Sequence, residues 1–142
     1  MISATQFREL REQSELKTHL QRLRSVEHAA EQEAERVRDA ISQRMTDADW
    51  QGILAKMQIV AANGASRYQI VRFPSAACTD LGRQINSGQR SGTWGSTLQG
   101  RARDAYRFWD RDLRQAGFTL SAEVLEFPHG KPGDVGITVV WG

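Results

Sequence analysis

The chain has 142 residues and a formal net charge of +2, with 39% hydrophobic and 25% charged residues. This balance excludes a chain that is disordered throughout, and the small net charge is not typical of a protein built mainly to bind nucleic acid. The single cysteine, Cys78, excludes an internal disulfide framework and a zinc site with several cysteine ligands. No apolar run approaches the roughly 20 residues that span a bilayer, and the N-terminus is polar, so we expect a cytoplasmic protein without membrane contact.

The first 51 residues contain no glycine and no proline, the two residues that most strongly break helices. Ser3 and Gln6 have the spacing of a capping box, so a helix is predicted to begin there. One continuous amphipathic helix to about residue 45 is the favoured interpretation. The alternative is two helices that fold back on each other near Ser25, although SVEH offers no breaker.

Within this segment, residues spaced alternately by four and three form a narrow seam, which is the a/d pattern of a coiled coil. A helix this long with such a seam needs a partner, because the seam would otherwise face water. We therefore predict that residues 1–45 form an arm that self-associates as a homodimer, in an orientation that the seam leaves open. The predicted contact residues are Leu16, Leu20, Leu23, Ala30, Ala34, Val37 and Ile41.

Residues 46–142 are predicted to form a compact α+β domain of the order α-β-α-α-β-β that ends in a hairpin. A second capping box, Thr46 with Asp49, opens its first helix. The long helical crossover after the first strand would allow that strand to pair in parallel with a later one. The predicted elements are a helix at 46–62, a strand at 66–73, helices at 75–87 and 97–116, and strands at 118–127 and 135–141.

Four arginines of the helix at 97–116 lie within about 80° of one another at 100° per residue. With an arginine and a tryptophan of the preceding glycine-rich loop, they could bind phosphates and stack on bases. Asp110 within the stripe and Asp104 beside it favour a solvated, salt-bridged face instead. Nucleic-acid binding is therefore the alternative function and not the favoured one. The residues that would carry it are Arg90, Trp94, Arg103, Arg107, Arg111 and Arg114.

The segment HGKPGD between the last two strands contains His129, Lys131 and Asp134, which are residue types found in ligand-binding loops. A phosphate loop needs converging backbone N–H groups at a helix start, whereas here a strand follows and Pro128 and Pro132 remove two donors. We therefore predict a hairpin loop of roughly six to eight residues. A ligand site at these three residues is the alternative, and a small-molecule binder or enzyme at the edge of the C-terminal sheet is the further alternative function.

Cys78, His129 and Asp134 are the residue types of a thiol nucleophile, a base and an orienting carboxylate. Cys78 falls on the predicted buried stripe of its helix, which favours a structural role. His19 and His28 are nine residues apart on the first helix, too far for two metal ligands on one face. The sequence thus favours a non-enzymatic interaction or scaffold protein without a metal or cofactor, which binds itself and could bind another protein.

Overall fold

The computed structural model describes residues 1–88 and 93–142. The chain forms two units, residues 1–35 and residues 36–142, and the boundary falls within the first helix. Helices and a three-stranded sheet are both present, so the predicted α+β class is confirmed. Within the described ranges, no helix is long and apolar enough to cross a membrane. The role of residues 1–45 as a self-association arm stays a prediction.

The first helix, α1, spans Ala4–Ser42 without a break. Its capping box forms as predicted, because Gln6 N donates to Ser3 Oγ and Ser3 N donates to Gln6 Oε1, both at 3.2 Å. The prediction of one continuous helix is confirmed, and the alternative of two helices folded back near Ser25 is wrong. The Ser25 hydroxyl donates to the Gln21 carbonyl at 3.0 Å, four residues earlier on the same helix.

The second helix, α2, spans Asp47–Ala62 and begins with the predicted box. Asp49 N donates to Thr46 Oγ1 at 3.1 Å, and Thr46 N donates to Asp49 Oδ2 at 3.0 Å. The helix buries Trp50, Ile53 and Met57 against the sheet and the later helix α4, Gly100–Asp112. The core of residues 36–142 therefore includes the face of α2 that its helical spacing indicates.

Three strands form the sheet in the order β1-β3-β2, where β1 is Arg67–Pro74, β2 is Thr119–Val124 and β3 is Asp134–Val140. Both neighbouring pairs are antiparallel, so the predicted hairpin is confirmed and the expected parallel pairing of the first strand is wrong. β3 is the most apolar strand, and Val135, Ile137 and Val139 are completely buried. In the central position both edges of this strand are hydrogen-bonded to a neighbouring strand, whereas at the margin of the sheet one edge would face water.

The predicted helix at 75–87 is wrong over most of its length. The chain forms a 3₁₀ turn at Ser75–Ala77 and only a four-residue helix, α3, at Arg83–Asn86. Between them Leu81 and Gly82 have positive φ angles of 60° and 81°. The Asp80 carboxylate accepts hydrogen bonds from the backbone N–H groups of Gly82 and Gln84, both at 2.9 Å. The helix is interrupted because these side-chain bonds stabilise a bend with positive φ at two residues, of which only Gly82 adopts that φ without strain.

The predicted helix at 97–116 is observed as the shorter α4, preceded by a 3₁₀ turn at Thr93–Thr97. Gly100, its first residue, has a φ of 60°. A Cβ atom at this position would collide with the carbonyl oxygen of Ala40 and lie 2.5 Å from that of Ile41. The C-terminal carbonyls of α1 thus pack directly on the N-terminal end of α4, which is favourable for both helix dipoles.

Candidate functional site

The part of α1 before residue 36 carries an exposed aliphatic stripe. No residue of α1 is buried, and the structure describes the whole of this helix. Leu16, Leu20 and Leu23 have exposed fractions of 59%, 44% and 47%. Ala30 and Ala34 continue the same spacing and are also exposed. These five residues, here named the α1 stripe, form the face that a second helix would cover.

The last two predicted contact residues of α1 have a different environment. Val37 is half-buried and packs, together with Ala40, against the core of residues 36–142. Ile41 lines a small cavity with Arg44 and Asp104 and is 38% exposed. The continuously exposed part of the predicted seam therefore ends at Ala34.

The charges of α1 are segregated along the helix. Residues 17–24 contain three basic side chains and no carboxylate, whereas residues 27–35 contain four glutamates and no lysine or arginine. These two stretches, named the basic block and the acidic block, are not among the predicted site residues. The signal that identifies them is the order of charges in the sequence, which is independent of the apolar spacing. Their charged members are Lys17, Arg22, Arg24, Glu27, Glu31, Glu33 and Glu35.

Two arginines of the predicted nucleic-acid face are bound to neighbouring carboxylates. Arg111 donates to both oxygens of Asp112 at 2.7 and 2.8 Å, and Arg114 donates to Asp110 at 2.7 Å. The hydrogen bonds between Arg111 and Asp112 raise the pKa of the guanidinium and lower the pKa of the carboxyl. Each guanidinium also lies over an aromatic ring of α4. These contacts reduce the positive potential that the two arginines offer to a phosphate.

The other members of that predicted set lie in different places. Arg103 and Arg107 form no ion pair within the described part of the chain, and both line the small cavity beside Asp104. Arg107 and Arg44 contribute to a lowered pKa of the Asp104 carboxyl, for which the hydrogen bond from Arg44 is the main cause. Arg90 lies outside the described residues. Nucleic-acid binding by this set stays the untested alternative.

Trp94 lines an open groove of about 730 Å³ at the edge of the sheet. The Trp94 and Tyr106 rings meet edge to face at 5.6 Å, and the Tyr106 and Trp109 rings are 5.5 Å apart. The opposite wall is formed by residues 119–122 of β2, and Arg114 also lines the groove. This arrangement brings Trp94 and Arg114 to one surface and offers aromatic contact to an apolar or flat molecule.

The three residues of the predicted loop site have unequal surroundings. His129 and Lys131 are exposed, whereas Asp134 is buried at the start of β3. Arg36 donates to both Asp134 oxygens at 3.0 and 3.1 Å, and Arg72 donates to one of them at 2.9 Å. Burial alone would raise the pKa of the Asp134 carboxyl, but the bonds from Arg72 and Arg36 outweigh it and hold this pKa below its ordinary value. A ligand site at these residues stays the untested alternative to a structural loop.

A backbone hydrogen bond closes the base of the hairpin loop. Gly133 N donates to the Glu126 carbonyl at 2.9 Å, which leaves residues 127–132 as the loop. This length agrees with the prediction of six to eight residues. Ser75, which lies outside the hairpin, forms two further hydrogen bonds to it. The Ser75 hydroxyl donates to Pro132 O at 2.9 Å, and the Ser75 N–H donates to Gly133 O at 3.0 Å. These bonds support the predicted turn.

Cys78 is buried, and burial raises the pKa of its thiol to about 11, so the reactive thiolate is scarce at neutral pH. In the described ranges, no hydrogen bond joins Cys78 to His129 or Asp134, and no group of three potential ligands could hold a metal ion. No family model, curated protein or solved structure matches this chain. A function is therefore inferred from the surfaces of the molecule alone.

Proposed function

We propose that the protein is a non-enzymatic, self-associating interaction protein in which the α1 stripe packs on the α1 stripe of a second copy. The observation that carries the proposal is the exposure of Leu16, Leu20 and Leu23 at heptad spacing on one continuous helix. Apolar surface in water costs roughly 25 cal/mol per Å². A facing helix removes this surface from water along the whole stripe.

The helix also needs support that its own residues do not supply. In proteins most helical stability comes from the packing of an apolar face and not from helix propensity. Residues 4–35 bury no side chain, so this part of α1 gains little from packing within the chain. A second copy supplies a helix of the same length and the same spacing, which matches the stripe along its length.

Self-association would give the assembly two copies of the compact unit, residues 36–142. Such an assembly is a scaffold that could bind a further protein through two equal surfaces. We include a cytoplasmic location in the proposal. The single cysteine supports it, since a lone thiol fits a reducing compartment.

The test is the molar mass of the full chain, measured by light scattering after gel filtration at tens of micromolar. We expect the mass of a dimer, and Leu20→Glu should shift it to that of a monomer, because two carboxylates would enter the paired stripe. Leu10→Glu is the matched control. It makes the same change on the same helix, at a residue that is 60% exposed and lies outside the stripe.

Circular dichroism must show that both variants keep the fold of residues 36–142. A wild-type chain that remains a monomer at this concentration would contradict the proposal. So would a dimer that Leu20→Glu leaves intact. Melting of the whole protein by Leu20→Glu would show instead that the stripe supports its own chain.

A second candidate function, small-molecule binding, is favoured by the convergence of Trp94, Tyr106 and Trp109 on one open groove. A flat aromatic anion such as 8-anilinonaphthalene-1-sulfonate is a suitable probe, because it can stack on the rings and approach Arg114. If the groove binds such molecules, the probe should quench tryptophan fluorescence, and Trp94→Ala should abolish saturable binding without unfolding the chain. Equal binding by the wild type and Trp94→Ala would remove this candidate.

A further inference from the structure

The α1 stripe and the two charged blocks together indicate how two copies are oriented. We infer that two copies pair antiparallel along residues 16–34, with the leucine half of each stripe against the alanine half of the other. This inference rests on the proposed self-association and adds its orientation and register. Three features of α1 lead to it.

The first feature is the segregation of charge. The basic block at residues 17–24 carries three positive side chains, and the acidic block at residues 27–35 carries four negative ones. Parallel, in-register pairing places each block beside its own copy, so that like charges face each other. Antiparallel pairing about residue 25 places each block beside the opposite one. Both ends of the paired segment then gain attraction that the parallel arrangement replaces with repulsion.

The second feature is the distribution of side-chain size. The stripe has leucine at its first three positions and alanine at its last two. Antiparallel pairing about residue 25 sets Leu16 opposite Ala34 and Leu20 opposite Ala30 of the second copy. These layers each combine a large and a small side chain, which keeps the distance between the helices even along them. Parallel pairing would stack leucine on leucine at one end and alanine on alanine at the other.

The third feature is Glu27, the charged residue at the seam position between Leu23 and Ala30. In a parallel dimer the two copies of Glu27 would face each other at one layer, where two like charges are costly. In the antiparallel register Glu27 lies opposite Leu23 of the second copy, and Arg24 follows that leucine. Each Glu27 thereby gains a cation from the other chain.

The register also agrees with where the stripe ends. Val37 packs against the core of residues 36–142, so the exposed seam extends only from Leu16 to Ala34. The midpoint of this segment is residue 25, which lies between the two charged blocks. Apolar spacing and charge therefore select the same centre for the pairing, although they involve different side chains.

The test is disulfide cross-linking between introduced cysteines in the full chain, under mild oxidation. Leu20→Cys and Ala30→Cys are made separately, one with a mass tag, and each is oxidised alone and in an equal mixture. The wild type is the control for background, since its one cysteine, Cys78, is buried. We expect the mixture to give at least about ten times more cross-linked product than either variant alone, because these positions face each other only between copies. Leu16→Cys with Ala34→Cys is the second pair, in case a substitution at 20 or 30 prevents folding.

Each outcome has one meaning. Cross-linked homodimers from the single variants would show parallel pairing, which overturns the inferred orientation and leaves self-association standing. If the wild type is a dimer but neither mixture of cysteine variants cross-links, the register is overturned. A wild-type monomer in light scattering would overturn the proposed self-association and this inference with it.

Discussion

Arg36 and Asp134 are 98 residues apart in the chain, and the Arg36 guanidinium donates to both carboxylate oxygens at 3.0 and 3.1 Å. Arg72 adds a third hydrogen bond at 2.9 Å from the neighbouring strand. Asp134 is 6% exposed, whereas the two arginine side chains are about half exposed. One buried carboxylate thus joins the end of α1, β1 and the start of β3.

Asp134→Asn should destabilise the protein by about 1 to 3 kcal/mol, because it leaves two cations around a buried group that no longer carries a charge. The half-exposed arginines can turn to water, which limits the loss. The free energy of unfolding from urea titration measures the effect. Asp110→Asn is the matched control, since Asp110 pairs with Arg114 on the helix surface and its loss should cost at most about 0.5 kcal/mol. Equal effects of the two changes would contradict the role assigned to Asp134.

Stability should fall at acid pH. The pKa values of Asp134 and Asp104 are both lowered in the folded chain, where their arginine partners favour the charged form. A lowered pKa contributes stability above the unfolded value of about 3.9. That contribution is lost as pH falls through the folded pKa. We expect a constant unfolding free energy from about pH 7 to 5 and a fall below about pH 4. The fall should be smaller in a variant that carries Asp104→Asn and Asp134→Asn, and an equal fall would show that other carboxylates cause it.

Gly100→Ala should destabilise the protein by at least about 2 kcal/mol, because the new Cβ atom meets two α1 carbonyl oxygens and the residue has a positive φ. The matched control is Gly52→Ala in α2, where a Cβ atom meets nothing within 4 Å. Because alanine is the better helix former, this change should stabilise by about 0.5 to 1 kcal/mol. Thermal unfolding of both variants tests the packing of α1 on α4. A Gly100→Ala variant as stable as the wild type would show that this packing is absent.

The hairpin predicts opposite results for Gly133 at the base of its loop and His129 within the loop. Gly133→Ala should cost about 1 kcal/mol or more, since its Cβ atom would lie 2.8 Å from side-chain atoms of both Glu126 and Pro128. His129 is exposed with a φ of 54°, and His129→Ala should change the unfolding free energy by no more than about 0.5 kcal/mol. Urea titration measures both. A ligand site at His129 would show itself differently, through an unchanged fold and a loss of ligand binding on His129→Ala.

Charge exchange on α1 tests the pairing by a route independent of cross-linking. Replacing Lys17, Arg22 and Arg24 with Glu should weaken the dimer at least about tenfold, because each acidic block would then face another. Replacing Glu27, Glu31 and Glu35 with Lys should do the same. A chain with both sets of changes restores the complementarity and should recover wild-type affinity to within about threefold. Sedimentation velocity measures the dimer dissociation constants of the wild type and of the three exchanged chains. The absence of recovery in the doubly exchanged chain would argue against antiparallel pairing.

The elements that could be predicted from the sequence are those whose signals lie within a few residues. The capping boxes at Ser3 and Thr46 each involve residues three apart, and the absence of glycine and proline before Gly52 allowed one long α1. The hairpin of β2 and β3 follows from two alternating strands joined by a turn. The exposed stripe of α1 belongs to this group, since a single helix determines which residues share a face.

Other features required side chains and backbone that are distant in the sequence. The antiparallel pairing of β1 with β3 depends on which strand is apolar enough to occupy the centre, a choice that no single strand encodes. The bend at Gly82 also depends partly on tertiary packing, because a Cβ atom at Gly82 would lie 2.9 Å from the Cβ atom of Ser75. Local spacing indicated a helix across this position, and the hydrogen bonds of Asp80 prevailed over it.

His129 in the hairpin loop and Asp134 at the start of β3 show the same division. The sequence by itself determined that both lie in or next to a turn, because prolines and glycines restrict the backbone locally. Only the tertiary structure decided that Asp134 is enclosed by Arg36 and Arg72 while His129 remains exposed. The reason is physical: local conformation depends on torsions and hydrogen bonds between near neighbours, whereas the environment of a charge depends on which distant segments fold around it.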